Sequence, residues 1–112
     1  MLIYKILRRP EWDAFREAGH TLGAPVDLAD GYIHFSTADQ VVETAAKHFA
    51  GESDLVLVAF DSSAMGADLK WEPSRRDQLF PHLYRPLNLS EVVWDHALPL
   101  GAAGHIFPKE MS

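Results

Sequence analysis

One stretch restricts the possible folds more than any other. Asp54-Leu55-Val56-Leu57-Val58-Ala59-Phe60-Asp61 has strand length, is apolar at successive positions and ends in an acid on both sides. Side chains alternate between the faces of a strand, so this one is apolar on both, as for a strand central in a sheet. The chain has 112 residues, enough for about one domain. Everything else must pack around this strand.

The flanking pattern supplies that packing. Leu2-Ile3-Tyr4-Lys5-Ile6-Leu7 reads as an opening strand. Pro10 suits a first helical turn, Trp12, Phe15 and Ala18 share one face with Ala14 beside them, and Gly19 is a stop, which predicts a helix over Pro10–Ala18. His20 to Asp30 shows no period and carries Gly23, Pro25 and Asp27, so it reads as loop. Tyr32-Ile33-His34-Phe35 is a short strand. Thr37 with Gln40 three residues on is a capping-box pattern, which opens a second helix over Ala38–Ala50. Val42, Ala45, Ala46 and Phe49 are expected to pack it on the sheet, with Val41 in the same stripe. Ser62 to Asp68 reads as a loop or single turn, then Leu69-Lys70-Trp71-Glu72 alternates as a strand with Trp71 inward and Glu72 outward. Gln78 to Tyr84 is extended, and Glu91 to Leu98 ends the sheet.

Helices come early and strands late, which fits α+β better than a doubly wound parallel sheet. The expected architecture is one domain over residues 1–100, a mixed, mostly antiparallel sheet with two N-terminal helices, and a loose tail over 101–112.

Composition removes several function classes. With no cysteine there is no disulfide framework, thiolate zinc site or thiol catalysis. A net charge of −6 argues against non-specific nucleic-acid binding. No apolar run reaches the roughly 18–20 residues that span a bilayer. Lys5, Arg8 and Arg9 lead into Glu11 and Asp13 rather than an apolar segment, so no signal peptide is read and the cytoplasm is the expected location. Dinucleotide, P-loop, H-E-x-x-H and G-x-S-x-G motifs are absent, and the six histidines place no two on one helical face, so no metal site is expected.

Three local patterns can carry chemistry. In Asp30-Gly31-Tyr32-Ile33-His34-Phe35-Ser36-Thr37, a strand end carrying His34 runs into a helix start at Ser36 and Thr37, where free amides bind anions and an imidazole moves protons. The plainer alternative is that Thr37 caps the helix and His34 fills a half-buried position. In Lys70-Trp71-Glu72, a carboxyl beside an aromatic suits acid–base work when buried, and the alternative is a half-buried strand. In Leu79-Phe80-Pro81-His82-Leu83-Tyr84-Arg85-Pro86, two prolines bracket His82, Tyr84 and Arg85, which offer proton transfer, hydrogen bonding and anion capture. The alternative there is an edge strand protected by proline.

Together with Ile3-Tyr4-Lys5-Ile6, Trp12, Ala14, Gln40, Thr44 and Leu55-Val56-Leu57 before Asp61, these stretches resemble domain-of-unknown-function family number 952, over about residues 2–98. Arg85 stands where that resemblance implies Gly, and adds a candidate anion contact. The layout is also similar to the ADP-ribosyltransferase-like fold, which splits a small mixed sheet around a nicotinamide-dinucleotide cleft. That resemblance implies NAD or another nucleotide as ligand. It puts His34 where a Tyr often stacks on nicotinamide, His82 on the strand that usually carries a catalytic Glu, and Tyr4 where His or Arg is usual. The expected function is an enzyme acting on a nucleotide or phosphate-bearing small molecule, with His34 and His82 catalytic and Tyr4, Ser36, Thr37, Glu72, Tyr84 and Arg85 around the ligand. The alternatives are a binding module without chemistry and a protein-interaction domain using Trp12, Trp71 or Trp94. The enzyme and binding-module readings both require His34 and His82 to face one pocket, with rings within about 10 Å.

Overall fold

The computed structural model describes residues 1–111. In chain order the elements that frame the site are β1 (Leu2–Arg8), α1 (Arg9–Ala18), β2 (His20–Thr21), α2 (Pro25–Asp30), β3 (Ile33–His34), α3 (Ala38–His48), β4 (Leu55–Asp61), β5 (Leu69–Pro73), β6 (Leu79–Leu83), β7 (Leu87–Asn88) and β8 (Val92–Leu98). The all-apolar strand β4 is central: β1 pairs with one edge and β8 with the other, both antiparallel. Its two faces feed two apolar clusters. Val56, Val58 and Phe60 join Ile3, Leu7, Trp12 and Phe15 on one side; Leu55, Leu57 and Ala59 join Tyr4, Ile6, Val41 and Ala45 on the other.

The expected single mixed sheet is instead divided. A second antiparallel sheet runs in the order β3-β6-β5, and β2 pairs separately with β7. All pairs among the described residues are antiparallel. The two larger sheets meet at one bridge, where Tyr4 and Ser36 exchange backbone hydrogen bonds of 2.8 and 2.9 Å. Beyond that bridge the free edge of β1 diverges from β3 and leaves space between the sheets.

Three α-helices are present among the described residues, not two. The segment read as loop contains α2, whose six residues are too few to display a period. Local chemistry makes it: Pro25 sits in the first turn, the Asp27 carboxylate accepts the Ala24 amide at 2.8 Å, and Gly31 ends the helix at φ +85°.

α3 is rotated from the expected face. Val42 is 53% exposed and Ala46 is exposed, while Val41 and Ala45 are buried and Thr44 and Phe49 are half-buried. Two stripes overlap in this sequence, and the buried one includes polar Thr44, which a purely apolar reading passes over. Trp71 is likewise 38% exposed whereas Glu72 is half-buried. β5 is a sheet edge, and the face that bears Glu72 is the one other side chains cover. Trp12 is buried against Phe15 rather than displayed on the surface.

After Leu98, Leu100–Gly101 pairs with Gly104–His105 as β9 and β10, and the His105 ring bonds the Glu52 carbonyl at 2.7 Å.

The exposure pattern gives a paired test. Phe60→Ala, at a site with no exposed surface, should cost about 3–5 kcal/mol. Val42→Ala, half-exposed on the outer side of α3, should cost under about 1 kcal/mol. Urea melts of the two variants measure both.

Candidate functional site

The register of the second sheet assembles the site. His34 of β3 lies opposite His82 of β6, and Lys70 and Glu72 of β5 lie opposite His82 and Phe80. Residues opposite one another share a face, so both histidines, Phe80 and Glu72 project to one side while Ile33 and Leu83 enter the core on the other. The His34 and His82 rings are 5.3 Å apart between centroids, inside the expected limit. Tyr32 packs on both, at 4.6 and 4.3 Å, and stacks on Tyr84 at 5.1 Å.

His34 is held by carboxylates at both nitrogens, Nδ1 to Asp27 at 2.6 Å and Nε2 to Asp30 at 3.0 Å. The Nδ1 contact is a hydrogen bond to Asp27, and Asp30 stands against the opposite nitrogen within ion-pair distance. Asp27 is 1% exposed and its carboxylate is fully used. One oxygen accepts the His34 amide at 3.1 Å and its ring; the other accepts the Ala24 amide and the Lys5 ammonium at 2.7 Å. Burial pushes the Asp27 carboxyl up, but the His34 hydrogen bond and the Lys5 charge outweigh it and bring it down to about 2. Lys5 also donates to the His34 carbonyl at 2.9 Å, so strand β1, helix α2 and strand β3 are tied at one point.

His82 is held differently. Its Nδ1 donates to Glu72 at 2.8 Å, and the same carboxylate oxygen accepts the Tyr84 hydroxyl at 2.6 Å. With Nδ1 committed as donor, Nε2 is the ring's available lone pair. Burial pushes the His82 imidazole below its ordinary range, and the Glu72 hydrogen bond partly restores it. The bonds from Tyr84 and His82 lower Glu72, and the Glu72 bond raises the Tyr84 phenol to about 12. The group is therefore a tyrosine hydroxyl, a carboxylate and a neutral imidazole in series.

Both histidines border a cavity of about 640 Å³ along the free edge of β1. Tyr4, Phe35, Phe49 and Phe80 give it apolar walls, and Ser36, Thr44 and His48 add polar ones. Its permanently charged wall residues are the cations Lys5, Arg8 and Arg75 and the single carboxylate Asp30. Arg75 packs over the Phe80 ring at 4.9 Å, donates to Thr44 Oγ1 at 2.7 Å and pairs with Glu43 at 3.3 Å. The Thr44 hydroxyl is 3.0 Å from the buried Ser36 hydroxyl. The turn that delivers Arg75 holds Arg76 and Asp77 at positive φ, 54° and 61°, a conformation uncommon for residues with a side chain.

Of the residues singled out from sequence, Tyr4, His34, Ser36 and His82 border this cavity directly, and Glu72 reaches it through His82. Thr37 caps α3, its amide held by Gln40 at 3.0 Å, and is not on the wall. Tyr84 and Arg85 border a separate, smaller depression, and Arg85 is engaged by Glu91 at 2.7 Å and Asp68 at 3.6 Å. Sequence reasoning missed Asp27, Asp30 and Arg75. Lys5 carried a signal: it is the one charge within the apolar run from Leu2 to Leu7 and so demanded a buried partner. No group of three or more His, Asp or Glu among the described residues is placed to hold a metal. None of the helices described is long and apolar enough to cross a membrane.

Fold and site thus define a small α+β protein with a histidine pair beside a cation-lined cavity. The family model described as a protein of unknown function, DUF952, matches residues 6–95, and the chain belongs to that family. It is similar to the crystal structure of protein CC0527 from Caulobacter crescentus, with 54% identity and a TM-score of 0.90 over 94% of this chain and 92% of that one. The solution NMR structure of CC0527 gives 55% identity and a TM-score of 0.84 over 93% and 90%. No curated protein matches the chain.

Two titrations test the electrostatics. The Asp27 carboxyl has a lower pKa folded, about 2, than its ordinary 3.8. Its contribution is therefore complete above about pH 4 and lost as pH falls towards 2, and amounts to about 2 kcal/mol. Asp27→Asn should remove that part of the acid limb in pH-dependent melts, while destabilising the protein at pH 7 by about 3–5 kcal/mol because Lys5 is left buried without its counter-charge. In an NMR titration His82 should have its midpoint below the usual histidine range, and Glu72→Gln should lower it further. An unchanged midpoint in that variant would show that Glu72 does not hold the ring.

Proposed function

We propose that this protein is an enzyme acting on a phosphate-bearing small molecule of the nucleotide class, with His82 as its proton acceptor or donor. The observation that carries the reading is the set of cations on the cavity wall: Lys5, Arg8 and Arg75 line it with Asp30 as its one carboxylate, and the acids that pair with those cations, Asp27, Glu52 and Glu43, lie off the wall. Cationic donors facing a cavity offer contacts to an anion. The ligand's phosphate meets Arg75, whose planar guanidinium suits phosphate oxygens. Two of the three Lys5 ammonium protons are used by Asp27 and the His34 carbonyl, which leaves one for the ligand. The ring of a nucleotide lies against the walls of Tyr4, Phe35 and Phe80. About 640 Å³ lies within the range of small-molecule sites.

His82 supplies the chemistry in this reading. A near-neutral base needs a bare nitrogen and a fixed ring, and Glu72 and Tyr84 provide both. The ADP-ribosyltransferase-like layout, and a nicotinamide dinucleotide as the ligand, belong to the same proposal; the opening between two small sheets joined at Tyr4 and Ser36 supports them. A second reading is a binding module without catalysis. It is favoured by one feature, the engagement of both His34 nitrogens by carboxylates.

Thermal-shift measurement with mononucleotides, dinucleotides and sugar phosphates tests the proposal, since a ligand that binds only the folded state raises Tm. At least one should raise it, and Arg75→Met should weaken that ligand by about tenfold or more. No shift with any of them would overturn the reading. His82→Ala should retain binding and lose turnover of the ligand identified; binding by the parent with no turnover would leave the binding module.

A further inference from the structure

The two carboxylates on His34 are not equivalent. Asp27 is inaccessible, is satisfied on both oxygens and anchors Nδ1. Asp30 has a side chain that is 45% exposed, touches Nε2 at 3.0 Å and lies on the cavity wall. It is the last residue of α2, where a negative charge opposes the helix dipole, and α2 has no basic residue in its last turn. Helix stability therefore does not explain an acid there. Neither does the shape of the cavity, whose other permanent charges are all positive.

We infer that Asp30 occupies the anion position of the site, its carboxylate standing on His34 Nε2 where the ligand's phosphate binds. The inference rests on the phosphate-bearing ligand proposed above and assigns the group that phosphate must displace. Lys5, Asp27, His34 and Asp30 stand in series, 2.7, 2.6 and 3.0 Å from link to link. Withdrawal of Asp30 uncovers His34 Nε2 and takes the one carboxylate off the cavity wall. A phosphate carries more acceptor oxygens than the carboxylate it replaces, and so can take the His34 donor and the free Lys5 proton together. Withdrawal asks little of the fold: Asp30 is the exposed last residue of α2, and Gly31 follows it at φ +85°. Asp30 thus sets a threshold that a weakly charged ligand does not cross, which makes it a specificity-determining residue.

The test uses the full chain, inorganic phosphate and adenosine 5′-monophosphate as probes, and calorimetric titration. Asp30→Asn keeps the shape and removes the competing charge, so it should bind both probes more tightly than the parent, by up to about fivefold, the upper end of the scale of an exposed ion pair. His34→Gln added to Asp30→Asn should cancel the gain. A parent that binds while Asp30→Asn binds equally or less tightly would overturn this inference and leave the proposed function standing. No binding by either folded protein would overturn both. In the parent, NMR supplies a reading that needs no variant: phosphate should move the Asp30 carboxyl carbon, the Gly31 amide and the His34 ring signals together. Binding that moves His34 and leaves Asp30 unmoved would also overturn the inference.

Discussion

The contact on which the rest depends is the buried pair between Lys5 and Asp27, 2.7 Å apart with side chains 6% and 0% exposed. Removing two charges from water costs several kcal/mol each and is recovered only where the geometry is good and the remaining hydrogen-bonding positions are filled. Here they are filled: Asp27 accepts from two backbone amides, a ring nitrogen and an ammonium. The arrangement brings together three elements that apolar packing alone would leave loosely related. It sets α2 against β1, and through His34 it fixes the end of β3. A pair of leucines could match its volume and would not orient the imidazole.

The cavity follows from the division of the sheet. A continuous sheet would have closed the edge of β1 with hydrogen bonds along its length. Instead Tyr4 and Ser36 make one bridge, and the strands then separate. The walls are consequently of two kinds, apolar where they continue the core through Tyr4, Ile6 and Phe35 and cationic at Lys5, Arg8 and Arg75. The inner face of α3 matches this dual surface. Val41 and Ala45 pack on β1, and the Thr44 hydroxyl accepts from Arg75 beside the Ser36 hydroxyl.

Sequence disclosed the parts whose signals are local. The central position of β4 followed from its unbroken apolar run, and α1 from its period, its proline and Gly19. The proximity of His34 and His82 was legible as a hypothesis because each interrupts an apolar stretch, and the resemblance placed both in one site. What stayed hidden was non-local or too short. α2 has fewer residues than two helical turns, so no period could reveal it. Asp27 and Asp30 looked like turn residues because their partners come from β1 and β3. Arg75 was hidden in a polar connection, since nothing local shows that two positive-φ residues turn it inward. The directions of Val42 and Trp71 do not follow from hydrophobicity, because the covered faces also hold the polar groups of the site.

Gly23 carries a consequence beyond its own backbone. Its φ of +102° already favours glycine, but a Cβ there would also lie 2.2 Å from the Asp27 carboxylate. The space that admits the buried acid is therefore the missing side chain of another residue, four positions earlier. Two positions that share no hydrogen bond are bound to a single choice. A chain of this family with a larger residue at the first must give up the acid at the second, and with it the counter-charge of Lys5 and the anchor of His34. Gly23 is thus a marker for the charge network: across the family, the presence of the glycine and of the acid should rise and fall as one character.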